Sequence, residues 1–331
     1  MMNRKIKWGI LGCARIAQSA LIPAIQEAKN GVLYGIAARD EKRARDWARK
    51  YKFQKFYRDY QALLDDPDID AVYIPLPNNL HCEWTCHAAK AGKHVLCEKP
   101  LALNSGEVRK MIREADKADV TLMEAFMYRF HPQIKKTLQL LESGEIGNVR
   151  FIRSSFTFMY IGDEENYRWS PEMGGGALYD VGCYTINVAR LVFNEEPISI
   201  YARAHFHPRF KVDLSTSMLL EFPRNRVALL DCSFESQFQS YFEIVGTEGR
   251  ITLPRSYSAK LLDAPIVVLK GDKIRTITIP SANQYTRMVE NFGECILKSH
   301  LLSYSAEDSY NNMQVVDAAF RSIRTGQPVK L

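Results

Sequence analysis

The stretch IKWGILGCARIA, Ile6–Ala17, decides the reading of this chain. Its first half is a short apolar run that stops at Gly12, and ARIAQSALIPAIQEA, residues 14–28, continues with helical period. A strand that ends on a glycine and turns at once into a helix offers unpaired N–H groups and a partial positive charge, the arrangement that holds a pyrophosphate. Gly12, Ala14 and Ala17 occupy the three small positions of the dinucleotide fingerprint G-x-G-x-x-G/A. With alanine in second place, the segment alone is also readable as a plain strand–turn–helix.

Working outward, the same alternation repeats. Strand-like runs GVLYGIAAR (31–39), QKFYR (54–58), DAVYIPLP (70–77), HVLCEKP (94–100) and VTLMEAFM (120–127) are separated by helical runs such as DEKRARDWARKY (40–51) and SGEVRKMIREADKAD (105–119). This order predicts an α/β fold with a parallel, doubly wound sheet covered by helices. Past about Tyr128 the pattern changes to long period-2 runs, among them VRFIRSSFTFMY (149–160), STSMLLEF (215–222) and RVALLDCSFES (226–236), followed by two C-terminal helices. Strands in series predict a large, open, mainly antiparallel sheet. The expected division is a dinucleotide-binding domain over 1–122 and a substrate-binding and oligomerisation domain over 123–331, with the C-terminal helices able to pack back on the first.

Composition narrows the function. The 331 residues are 46% hydrophobic and 25% charged, with no apolar run near the ~18 residues of a membrane span. MMNRKIK leads straight into the first strand, which leaves no room for a secretory signal, and a cytoplasmic protein is expected. The formal net charge of +6 comes from scattered basic residues, which argues against a nucleic-acid footprint and suits a phosphate-bearing small ligand. Seven cysteines, odd in number and widely spread, read as free thiols. HCEWTCH (81–87) places Cys82 and Cys86 on one helical face with His81 and His87 elsewhere, so no metal is expected.

At the end of the second strand, AARDEKR puts Arg39 where a ribose-binding acid would serve NAD, with Asp40 after it and Lys42 and Arg43 close behind. NADP is therefore favoured over NAD. Glu98 and Lys99 end another strand, where open α/β sheets bind ligands, and Lys99 precedes Pro100, which pushes it toward an extended backbone. Asn78 and His81 lie one βα unit earlier on the same sheet edge. In EMGGGALYDVGCYTIN, residues 172–187, three glycines precede a helical segment on which Asp180, Tyr184 and Asn187 would share one face.

Taken together, WGILGCARIA, PNNLH, CEKPLA, EAFMYRFHPQ, GGGALYDVGCYTIN and FEIVGTEGRITLP resemble the glucose-fructose oxidoreductase / inositol dehydrogenase / rhizopine-catabolism (Gfo/Idh/MocA) family over nearly the whole chain. The resemblance implies a Rossmann domain followed by an α/β domain whose open sheet often serves as an oligomer interface, hence a homodimer or homotetramer. It places the cofactor against Gly12, Ala14, Arg15, Ile16 and Ala17, against Ala38, Arg39 and Arg43, and against Pro75, Leu76, Asn78, His81, Glu98 and Lys99. It implicates Lys99 and Tyr184 in catalysis with Asp180 beside them. A Tyr at 184, where other branches carry His, resembles the dihydrodiol and xylose dehydrogenase branch. Ala38 replaces a serine common among the NADP readers.

The expected reaction is hydride transfer between NADP, or NAD, and a carbinol or carbonyl carbon of a sugar, polyol or cyclic diol. It needs a group that takes or gives the hydroxyl proton. A free phenol titrates near 10, and an ammonium beside it favours the phenolate. Tyr184 is thus assigned as the acid/base and Lys99 as its tuner and a donor to the substrate oxygen; the reverse assignment stays open. The three glycines are expected to let the backbone approach nicotinamide and substrate. Tyr128, Arg129, His131, Arg168 and Trp169, with Lys99, Asp180 and Tyr184, are expected to wall the substrate; a loop-packing Trp169 is the alternative. Two other readings remain: a nucleotide-sugar ketoreductase and a catalytically silent dinucleotide-binding regulator.

Overall fold

The computed structural model describes residues 4–161, 163–259 and 262–331, and the chain separates into two compact units. The first comprises residues 1–127 and 283–310, the second residues 128–282 and 311–331.

In the first unit, β1 (Ile6–Leu11), β2 (Gly31–Ala37), β3 (Lys55–Tyr57), β4 (Ala71–Ile74), β5 (His94–Cys97) and β6 (Leu122–Glu124) form one sheet of order β3-β2-β1-β4-β5-β6. Every pair is parallel. That order reverses direction between β1 and β4, the switch point at which doubly wound sheets bind ligands. The helices are α1 (Ile22–Glu27), α2 (Glu41–Tyr51), α3 (Tyr60–Leu64), α4 (His81–Lys90) and α5 (Ser105–Lys117). Asp40, Asp59 and Asn104 cap α2, α3 and α5 by accepting a backbone N–H from inside the first turn. The helix expected after Gly12 is not uniform: a π-turn over Ala17–Leu21 precedes α1, which carries Pro23 in its first turn, where the missing N–H costs nothing.

The second unit contains α6 (Pro132–Glu142), α7 (Cys183–Phe193) and a sheet built from β7 (Val149–Met159), β8 (Ser199–Phe206), β9 (Asp213–Phe222), β10 (Arg226–Ser233), β11 (Glu235–Gly246), β12 (Gly249–Leu253), β13 (Ala264–Lys270), β14 (Lys273–Ile279) and β15 (Val329–Lys330). Its order is β14-β13-β12-β11-β7-β10-β9-β8-β15. β7 and β10 are parallel neighbours and the remaining pairs are antiparallel. Strand alternation decides which face is covered. Leu214, Met218, Leu220 and Phe222 of β9 are buried, as are Ala228, Leu230 and Cys232 of β10, and α7 packs on the β7–β10 pair. The intervening Leu219 and Leu229 are exposed and sit opposite each other in the register. Two helices end the chain: α8 (Gln284–Lys298), which packs on α1 and β2 in the first unit, and α9 (Ala306–Thr325). Among the described residues no helix is long and apolar enough to cross a membrane, and no cluster of three or more His, Cys, Asp or Glu could hold a metal ion.

Candidate active site

Gly12 follows β1 directly and adopts φ +102°, a conformation open to glycine and strained for other residues. A β-carbon there would come within 3.0 Å of Leu76 Cδ2. Around it lies a hollow of about 380 Å³ lined by Gly12, Cys13, Ala14, Ala38, Arg39, Asp40, Arg43, Tyr60, Pro75, Leu76 and Pro77, at the C-terminal ends of β1, β2 and β4. Seven of the fourteen residues expected against the cofactor line it: Gly12, Ala14, Ala38, Arg39, Arg43, Pro75 and Leu76. Arg15, Ile16 and Ala17 continue the helix beyond its rim. Arg43 Nη2 donates to the Cys13 carbonyl at 2.8 Å, tying α2 to the glycine turn. The Asp40 carboxylate accepts the N–H of Arg43 as the α2 cap, so the acid nearest the β2 end is already engaged. Tyr60, the first residue of α3, puts its hydroxyl 3.5 Å from a Gly12 β-carbon position; burial pushes its phenol up.

The cradle a β-carbon would narrow, the two guanidiniums and the phosphate-ready turn fit a dinucleotide.

Further along the same sheet edge, Glu98 and Lys99 follow β5, and the Lys99–Pro100 peptide is cis. Tyr73 of β4 donates its hydroxyl to Glu98 Oε1, and the Lys99 N–H reaches Glu98 Oε2 at 3.3 Å. Tyr285 of α8 completes the surroundings: burial, and then the charge of Glu98, push its phenol up, while Lys99 acts in the opposite direction. No short-range signal in the sequence marks a residue 186 positions from Lys99 as its neighbour.

His81 takes a different place from the one expected. It is fully buried, with Nδ1 2.9 Å from the Pro100 carbonyl and Nε2 2.8 Å from the Leu76 carbonyl. Burial outweighs both carbonyls and holds its pKa at about 4. It lies between the loop after β4 and the loop that carries Lys99, and in its neutral form its single N–H donates to one of the two carbonyls. Asn78 is buried in a 3₁₀ turn just before α4.

In the second unit the glycine segment serves the protein's own packing. Gly174 ends a 3₁₀ turn with φ +75°, and Gly176 has φ +104°. A β-carbon on Gly175 would strike the Arg168 carbonyl, and one on Gly176 would strike Asp213 Oδ1. The close approach expected toward nicotinamide and substrate is thus filled, at these two glycines, by neighbouring parts of the chain. A π-turn over Leu178–Gly182 follows and leads into α7.

That wide turn, not a regular α-helix, separates Asp180 from Tyr184. Asp180 lies inside the π-turn and receives Arg168 bidentately, Nε to Oδ2 at 2.7 Å and Nη2 to Oδ1 at 3.2 Å. Tyr184 and Asn187 do share a neighbourhood: Tyr128 donates to Asn187 Oδ1 at 2.5 Å, and its ring centroid is 5.8 Å from that of Tyr184. Phe156 and Tyr257 add edge contacts to Tyr184 at 5.3 and 5.5 Å, so its ring, 4% exposed, is seated among three aromatic side chains.

Of the expected substrate walls, Tyr128 is fully buried in this nest. His131 is fully buried too, with Nδ1 accepting the Gln133 N–H as the α6 cap. Trp169 stacks on Phe210 at 5.3 Å and 20°, with Tyr160, His207 and Phe234 around it, which is the loop-packing alternative. Arg129 lies half-buried in a 3₁₀ turn.

Comparison with known proteins gives consistent results. A family model described as an oxidoreductase family with an NAD-binding Rossmann fold matches residues 6–126, and one described as the GFO/IDH/MocA C-terminal domain matches residues 134–252. A D-xylose 1-dehydrogenase (NADP(+)) of Haloferax volcanii is 36% identical, covering 98% of this chain and 99% of its own. A trans-1,2-dihydrobenzene-1,2-diol dehydrogenase of Xenopus laevis is 32% identical, covering 97% and 99%. The crystal structure of a 3-ketoreductase from Actinomadura kijaniata, in complex with NADP and TDP-benzene, superposes with a TM-score of 0.92 at 29% identity, over 96% of this chain and 98% of that one.

Proposed function

Because the chain belongs to the GFO/IDH/MocA oxidoreductase family, we propose that it transfers hydride between NADP and a CH–OH or carbonyl carbon of a sugar, polyol or cyclic diol. The observation that carries the cofactor choice is the β2 end of the nucleotide hollow. Arg39 and Arg43 line it, and Asp40 between them turns one carboxylate oxygen to the α2 cap, which suits a 2′-phosphate better than a bare ribose. The xylose dehydrogenase and 3-ketoreductase relatives, both named with NADP, support the same choice.

When bound, the nicotinamide supplies or accepts the hydride. Tyr184 exchanges the hydroxyl proton, and its aromatic seat limits both its motion and its access to water. The Lys99 ammonium stabilises charge on the reacting oxygen. Asp180, held by Arg168, accepts from substrate hydroxyls. Reduction of a keto sugar that still carries its nucleoside diphosphate is a second reading, supported by the likeness to the Actinomadura 3-ketoreductase. A homodimer or homotetramer through the exposed sheet face is supported by the apposed Leu219 and Leu229, and a reducing, cytoplasmic setting by the odd number and wide spread of the cysteines.

The test follows nicotinamide absorbance with NADP and a panel of aldoses, inositols, cyclic diols and nucleotide-linked keto sugars, with Tyr184→Phe run in parallel. Turnover on one class, lost in the variant, establishes the reading and selects between its two forms. Silence across the panel with NADPH still bound moves the protein to a non-catalytic, regulatory role.

A further inference from the structure

Asp213 is the first residue of β9 and is 1% exposed. Its Oδ2 accepts the Leu178 N–H at 2.7 Å and the Thr216 hydroxyl at 2.9 Å, and the Ala177 N–H also turns toward the carboxylate. Leu178 opens the π-turn that contains Asp180 and runs into the helix bearing Tyr184. Oδ1 occupies the space a side chain on Gly176 would need, so the glycine and the carboxylate fit each other. Among the described residues no Lys, Arg or His forms an ion pair with Asp213.

An acid buried with no cation is expensive. Burial, partly offset by the Thr216 hydroxyl and by the backbone N–H groups, raises its pKa to about 6. The titratable neighbours do not relieve it: the Cys232 thiol on β10 is itself pushed up by burial and by the Asp213 charge, Asp231 on the same strand is also pushed up, and the Arg168–Asp180 pair lies across the glycine loop. A group that costs stability and grips the entry of the candidate catalytic helix has a use other than holding the fold.

We propose that Asp213 is a positioning residue, whose carboxylate anchors the N–H groups that open the Leu178–Gly182 turn and so sets the aim of Asp180 and Tyr184. This inference rests on the oxidoreductase reading for its kinetic consequence and on the geometry alone for its structural one. Displacement of a reacting group by about 1 Å costs on the order of a hundredfold in rate. Asp213→Asn keeps the shape and one acceptor oxygen but loses the charge. The expected result is a fall in kcat of about tenfold or more, with NADPH affinity unchanged, a melting temperature at pH 7.5 no lower than that of the parent, and faster hydrogen exchange in the peptide spanning 176–183. A residue that merely supports the fold would lower the melting temperature instead, and that outcome overturns the proposal, as does unchanged exchange. Thr216→Val removes one hydrogen bond to the charged form and should move the acid limb of the kcat–pH profile up by about one unit; an unmoved limb counts against Asp213 as the group that titrates. If the parent turns over no substrate, the functional reading fails while the exchange measurement still decides the anchor.

Discussion

Gly12 and Gly176 have nearly the same φ, +102° and +104°, and each opens a helical segment in its own unit. What faces their missing β-carbons differs. Gly12 looks onto a lined hollow, and its nearest neighbour is the far end of a flexible leucine at 3.0 Å. Gly176 looks onto a buried carboxylate that already fills the space. The first glycine leaves room for a ligand, whereas the second lets the chain grip itself, and a run of glycines in a sequence does not say which.

The comparison can be broken most sharply at Gly176. Alanine there combines a disallowed φ with a collision against a buried acid, and should cost about 4 kcal/mol or more in urea unfolding, or prevent the second unit from folding. Retention of parent stability would show that the two glycines are equivalent after all.

Asp213 gives the next largest effect, and it depends on pH. With a folded pKa near 6 against an ordinary value of 3.8, the folded chain holds a proton that the unfolded chain releases. The parent's stability from this group is full below about pH 4 and is lost as pH rises through 6, so between pH 4 and pH 7 the difference between the two proteins should move in favour of the Asp213→Asn variant by about 3 kcal/mol. That shift is read as the change with pH in the difference between two unfolding curves measured side by side. A gap independent of pH would remove the buried charge from the account of Gly176.

Gly12→Ala should be milder. Leu76 can yield, leaving a backbone cost of about 1–2 kcal/mol, with a folded protein that has lost affinity for the dinucleotide in a fluorescence titration. Equal damage to stability at both glycines would erase the distinction drawn above. The smallest effect is expected at Arg39, where alanine should raise the KM for NADP about tenfold while leaving NAD nearly unaffected, the worth of one charge-assisted contact. Equal losses with both cofactors would place the 2′-phosphate elsewhere.

How far the sequence could be read follows from range. Both sheets were legible because strand period and strand-end glycines are local signals, and Arg39, Glu98 and Lys99 could be placed because a strand ends where its apolar run ends. Asp180 and Tyr184 could be placed at the entry of one helix, but the π-turn between them adds a residue that a 3.6-residue period does not anticipate. Tyr285, Asp213 and Tyr257 stayed hidden because each meets its partner only across intervening helices and strands, 35 residues apart in the case of Asp213 and Leu178. His81 was misplaced for a related reason: its position at a strand edge was correctly read, but its two carbonyl partners turn it inward.

All seven cysteines are buried, five in the first unit (Cys13, Cys82, Cys86, Cys97 and Cys295) and two in the second (Cys183 and Cys232). The folded molecule therefore shelters every thiol from a bulky alkylating reagent, and each thiol becomes a time stamp for the moment its surroundings open. Quenched labelling followed by peptide mass analysis would separate the opening of one unit from that of the other without adding a single foreign probe.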